Sequence, residues 1–65
     1  MCIATIYLDG GGHREEVMRA VVRIEAERNG FLLVTLLGEA KCVEGRPKSV
    51  DFLRERSVTI QEEKS

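Results

Sequence analysis

The chain has 65 residues, 43% of them hydrophobic, with 10 basic and 11 acidic side chains and a formal net charge of −1. A chain this short forms one small domain that buries only about 60% of its unfolded surface, so its core needs a staple or a partner. Balanced charge and three aromatic residues, Tyr7, Phe31 and Phe52, argue against a basic, base-stacking nucleic-acid surface.

Cys2 and Cys42 allow one disulfide at most, and nothing marks the chain as secreted. The first apolar run is too short for a signal-peptide core and lacks a basic leader. No stretch approaches the roughly 20 apolar residues of a membrane span. The expectation is a cytoplasmic protein without a membrane partner, completed by a metal or by self-association.

In chain order, Met1-Cys2-Ile3-Ala4-Thr5-Ile6-Tyr7-Leu8 alternates, with Cys2, Ala4, Ile6 and Leu8 on one face. Both faces are largely apolar, which predicts an interior strand. Asp9-Gly10-Gly11-Gly12-His13 then makes a turn; three glycines without a following helix and lysine form no P-loop. Residues 14–28 begin ambiguously, since Val17, Met18, Val21 and Val22 would share a helical face, but from Val22 the period is two. The prediction is a short strand near residues 15–17, a tight bend at 18–20 and a strand over 21–27.

Asn29-Gly30 signals a hairpin. A two-residue type I′ turn there would set Glu27 opposite Leu32. A three-residue loop with a bulge at Gly30 sets Ala26 opposite Leu32, Ile24 opposite Val34 and Val22 opposite Leu36, and this register is preferred because it pairs apolar residues. It leaves Phe31, Leu33 and Leu37 needing cover, for which a second subunit is the economical source. Ala40-Lys41-Cys42-Val43 forms a strand, Glu44-Gly45-Arg46-Pro47 a turn, and Val50, Phe52 and Val58-Thr59-Ile60 two more strands, with fraying from Gln61. The predicted fold is all-β: a small, partly or fully closed antiparallel barrel of about six to seven short strands, SH3- or Sm-like in size and dimeric, with residues 1–61 as the domain and 62–65 as its tail.

Chemistry concentrates at Cys2. The Met1 amine, the Cys2 amide nitrogen and the Cys2 sulfur can hold one metal ion in two fused five-membered chelate rings. If Met1 is trimmed, the amine and thiol of Cys2 still form one ring. A flat nitrogen–thiolate array suits Ni(II) or Cu(II), whereas a tetrahedral thiolate array suits Zn(II). The bland alternative is a small buried cysteine opening a strand. Cys42 alternates with Lys41 and Val43 and reads as packing. His13 reads as a solvated turn residue that could add a donor if the glycine turn lay near the N-terminus. Met1 and Met18 read as apolar packing, and Glu15-Glu16 and Glu62-Glu63 as solvated pairs.

Taken together, Met1-Cys2 with its alternating strand, the Val-rich segment ending in Ile24-Glu25, the run Leu33-Val34-Thr35-Leu36-Leu37-Gly38-Glu39, Val43-Glu44-Gly45 and Val50-Asp51-Phe52-Leu53 resemble the CooT family of small nickel-binding proteins. That family is associated with maturation of nickel-dependent carbon monoxide dehydrogenase. The resemblance covers essentially the whole chain. It implies a β-barrel homodimer that binds Ni(II) through the cysteine after the initiator methionine, here Cys2, and a client nickel enzyme or its maturation factor as partner. Cys42 departs from the family pattern. Catalysis is not expected, since no Ser/His/Asp set or defensible carboxylate pair is present. The competing expectation is an RNA-binding or protein-interaction barrel using Arg46, Lys48, Arg54 and Arg56.

Overall fold

The computed structural model describes residues 3–62, which form six strands: β1 (Ala4–Gly10), β2 (His13–Glu27), β3 (Gly30–Thr35), β4 (Ala40–Glu44), β5 (Arg46–Asp51) and β6 (Ser57–Gln61). They make one sheet in the order β4-β3-β2-β1-β6-β5. β1 lies centrally, as its two apolar faces predict, with Ala4 and Ile6 buried and Leu8 packed against the core. Gly11 and Gly12 join β1 to β2, both with positive φ, and Gly10 pairs with His13 across them; two successive positive φ values are the type I′ signature.

β2 is a single strand of 15 residues, so the predicted short strand, bend and second strand are one element. The bend survives as a local irregularity. Two register shifts against β1 and one against β3 place extra residues in β2, and Ala20 takes a left-handed φ of 56°. Extra residues of this kind bend a strand and increase its twist. The first half of β2 pairs with β1 up to Ala4↔Val21, and the second half pairs with β3 from Val21↔Thr35. One strand therefore serves two sub-sheets that fold over each other at Val21, which is 2% exposed.

The β2–β3 hairpin takes neither predicted register. Glu27 pairs with Gly30, so Arg28-Asn29 is the turn, with Ala26↔Phe31, Ile24↔Leu33 and Arg23↔Val34. Gly30 is needed for close approach instead of positive φ: a Cβ there would overlap the Val43 carbonyl oxygen and the Glu44 Cα in β4. The shifted register turns Leu33 fully into the core and Phe31 against it, so neither waits for a second subunit. Leu37, at the β3–β4 turn, remains 89% exposed.

The expected antiparallel barrel is corrected in two respects. β1 and β6 run parallel, from Thr5↔Ser57 to Asp9↔Gln61. The sheet also curls without closing: β4 and β5 are its two edges, and no ladder joins them. Those edges are consecutive in sequence and meet only at Gly45, whose N–H donates to the Asn29 carbonyl (3.0 Å) and whose missing Cβ makes room for the Gln61 carbonyl. The open side is an apolar seam of about 210 Å³ lined by Ile24, Phe31, Pro47, Val50, Phe52 and Ile60, among others. Gln61, expected to fray, belongs to β6, and the Glu62 N–H donates to the Asp9 carbonyl at 2.8 Å. Among the described residues, no helix is long and apolar enough to cross a membrane.

Candidate functional site

Met1 and Cys2, the predicted metal ligands, lie outside the described residues. What the structure defines is the frame into which they lead. Ala4 pairs with Val21 on one side, and on the other the Thr5 N–H donates to the Arg56 carbonyl at 3.0 Å.

Both left-handed non-glycine residues among those described, Ala20 (φ 56°) and Arg56 (φ 53°), flank this entry to β1. Ala20 is next to Val21 and accepts the Leu36 N–H at 2.9 Å, while Arg56 holds Thr5. L-residues take this conformation at an energetic cost and hold it where the surrounding hydrogen bonds over-determine it, a pattern that concentrates at functional sites. The same end of the sheet carries exposed apolar side chains from three separate segments: Ile3 before β1, Leu36 and Leu37 between β3 and β4, and Phe52 and Leu53 between β5 and β6.

The turn after β5 is built on Asp51, whose Oδ1 accepts the N–H groups of Leu53 (3.0 Å) and Arg54 (2.8 Å). The Arg54 amide is the main reason the Asp51 carboxyl is held below its usual range, with the Leu53 and Glu55 amides adding to it. Glu55 accepts from Arg14 at 2.9 Å and from the Ser57 hydroxyl at 3.1 Å, and the Arg14 bond leads in depressing its pKa. Arg14 also lies over the Tyr7 ring, 3.7 Å from the centroid, a cation–π contact on the outer face of β1.

The remaining sequence candidates lie elsewhere. His13 pairs with Gly10 at the opposite end of β1 from Ala4, so the glycine turn does not bring it toward the N-terminus. Cys42, read as packing, is an exposed free thiol on edge strand β4. It pairs with Leu32 in β3, and its thiol is hydrogen-bonded to Glu27. That bond raises the thiol pKa, with the Glu27 charge and partial burial adding to the effect, which disfavours the thiolate that metal binding or nucleophilic attack would need. Glu15, Glu16, Glu44 and Glu62 line an open groove of about 530 Å³ with Cys42 and Lys41. Among the described residues, no group of three His, Cys, Asp or Glu side chains is arranged to hold a metal. Met18 packs against the core as expected.

The four-cation surface proposed for RNA is divided by the fold. Lys48 is bound to Asp9, and Arg46 also has an interaction partner. Of the four, only Arg54 and Arg56 make no ion pair among the described residues, and they lie two positions apart after β5. The left-handed pair Ala20 and Arg56 had no signal in the sequence, because neither residue type favours that conformation.

Comparison with known proteins gives the site its context. The model of the family described as CO dehydrogenase accessory protein CooT matches residues 1–61. A crystal structure described as putative CooT from Carboxydothermus hydrogenoformans superposes with a TM-score of 0.84, at 21% sequence identity, over 97% of this chain and 100% of that one; this likeness speaks to the fold. None of the curated proteins matches. With a family model spanning all but the last four residues and the same curled sheet in a solved relative, the chain belongs to the CooT family of CO dehydrogenase accessory proteins.

Proposed function

We propose that this protein is a cytoplasmic Ni(II) chaperone or store that carries its metal at the N-terminus, with Cys2 as thiolate ligand and the Met1 amine and Cys2 amide as nitrogen donors, and that it acts by binding without catalysis. The observation that carries this reading is the frame around the start of β1, where two left-handed residues flank the strand that leads from Met1-Cys2. The family's description as a CO dehydrogenase accessory protein supports a nickel enzyme or its maturation factor as client. A two-donor or three-donor chelate of this kind sits at a chain end, so it can pass its ion to a recipient by ligand exchange. A caged site would release it slowly.

The reading includes a homodimer. Ile3, Leu36 and Leu37 leave this end of the sheet apolar and exposed, and a two-fold contact through them would bring both N-termini to a shared metal.

The test is a titration of chelator-stripped protein with Ni(II), and with Zn(II) and Cu(II) for comparison, following thiolate-to-metal absorption and elution on a sizing column. The expected result is a tight Ni(II) band on a dimer, abolished by Cys2→Ser with the fold intact. Unchanged Ni(II) affinity in Cys2→Ser overturns the site, and elution as a monomer at all concentrations overturns the dimer.

A further inference from the structure

Five of the nine cations among the described residues are already engaged. Arg14 is paired with Glu55, Arg19 with Glu16, Arg23 with Glu25 and Lys48 with Asp9, and Arg46 is also engaged. Among the described residues, Arg28, Lys41, Arg54 and Arg56 make no ion pair. Arg28 lies in the β2–β3 turn and Lys41 in β4, apart from one another. Arg54 and Arg56 share one exposed turn with Phe52, half exposed, and Leu53, 93% exposed.

That turn is fixed at both ends. Asp51 takes the amides of Leu53 and Arg54, and the Arg56 carbonyl takes the Thr5 amide. The Leu53, Arg54 and Glu55 amides are therefore committed to Asp51 and are not available to cradle a small anion such as phosphate. The side chains the turn offers for recognition are the two guanidinium groups and the exposed Leu53. This chemistry fits a larger surface that offers several carboxylates around an apolar residue.

We propose that the turn over residues 52–56 is a docking surface for an acidic protein partner, with Arg54 and Arg56 meeting carboxylates and Leu53 meeting an apolar side chain. It rests on the metal-carrying reading only in what is exchanged. Because Arg56 holds the third residue after Cys2, a partner seated on this turn has the N-terminus within reach, and docking and metal transfer share one end of the molecule. In that setting the partner is the protein that receives the ion.

The test uses the full-length Cys2→Ser protein, so that docking is measured without the proposed metal ligand. The probe is a synthetic peptide, Asp-Glu-Leu-Glu-Asp, compared with the same peptide carrying Ser for Leu, and with a single-stranded oligoribonucleotide of equal charge. Binding is followed by backbone amide shifts at low salt. The peptide is expected to shift the amides of residues 3–5 and 52–57, and Arg54→Gln/Arg56→Asn is expected to weaken it about tenfold, as two partly exposed ion pairs allow. Asparagine tolerates the left-handed backbone at position 56, which keeps the turn folded. Arg28→Gln/Lys41→Gln removes the same net charge and should leave binding unchanged. Equal weakening by both double variants, or tighter binding of the oligoribonucleotide than of the peptide, overturns the proposal; so does an unaltered affinity when Leu is replaced by Ser. A failed Ni(II) titration leaves each of these outcomes readable.

Discussion

Two side chains illustrate how neighbours set chemistry here. Cys42 is exposed yet kept as a thiol by the Glu27 carboxylate, so exposure and reactivity diverge. Glu27→Gln removes the charge while keeping a hydrogen-bonding group, and alkylation of Cys42 by iodoacetamide at pH 8 should become severalfold faster; an unchanged rate would show that the carboxylate does not control the thiol. Asp51 works in the opposite direction, since turn amides stabilise its charged form. A carboxylate with a depressed folded pKa contributes stability above its unfolded value near 3.9, and that contribution is lost as pH falls through the lower folded value. Asp51→Asn should therefore be less stable than wild type at pH 7 in urea titrations, with the difference narrowing toward pH 3. A constant difference would assign the effect to turn geometry alone.

Within the elements, the hairpin after β2 shows how a glycine can be misread. Asn29-Gly30 suggested positive φ, but Gly30 is there because the β4 backbone crosses where a side chain would be. Gly30→Ala should lower stability by about 3 kcal/mol, the upper range for overpacking, measured by urea unfolding; a loss below 1 kcal/mol would mean that β4 yields easily. Ala20 is the converse, a residue with a Cβ in a left-handed conformation. Ala20→Gly should raise stability by up to about 1 kcal/mol, and a loss would contradict strain at that bend. These positions also mark what the sequence could disclose. The β1 alternation, the glycine turn and the period-two second half of β2 were legible because each is a local pattern. The register after Glu27 was not, because it depends on the distant Val43–Glu44 backbone. The unity of β2 was hidden too, since its extra residues break the periodicity that would have revealed one strand. Of the candidate site, the sequence offers the Met1-Cys2 donor set as chemistry, whereas the frame is not legible in it, because the arginine that holds Thr5 comes from 51 residues further along.

At the scale of the whole molecule, the core is small: Ala4, Ile6, Val21, Leu33, Val43, Val58 and Ile60 are its buried hydrophobic members. With so few, each matters. Leu33→Ala should cost about 2–5 kcal/mol, much of the roughly 3–10 kcal/mol available to a chain of this length, and its thermal midpoint by circular dichroism should fall steeply or vanish. A midpoint within a few degrees of wild type would point to stabilisation from outside the monomer core. The parallel pairing of β1 with β6 has a consequence for how the protein comes into being. β1 has its neighbour in β6, Thr5 beside Ser57, so it lacks one flank until β6 has been made. A pairing this distant in sequence carries a high loop-closure cost and slows folding. The nascent chain therefore displays β1 before the frame around its start exists, and any enzyme that acts there during translation meets an unframed strand.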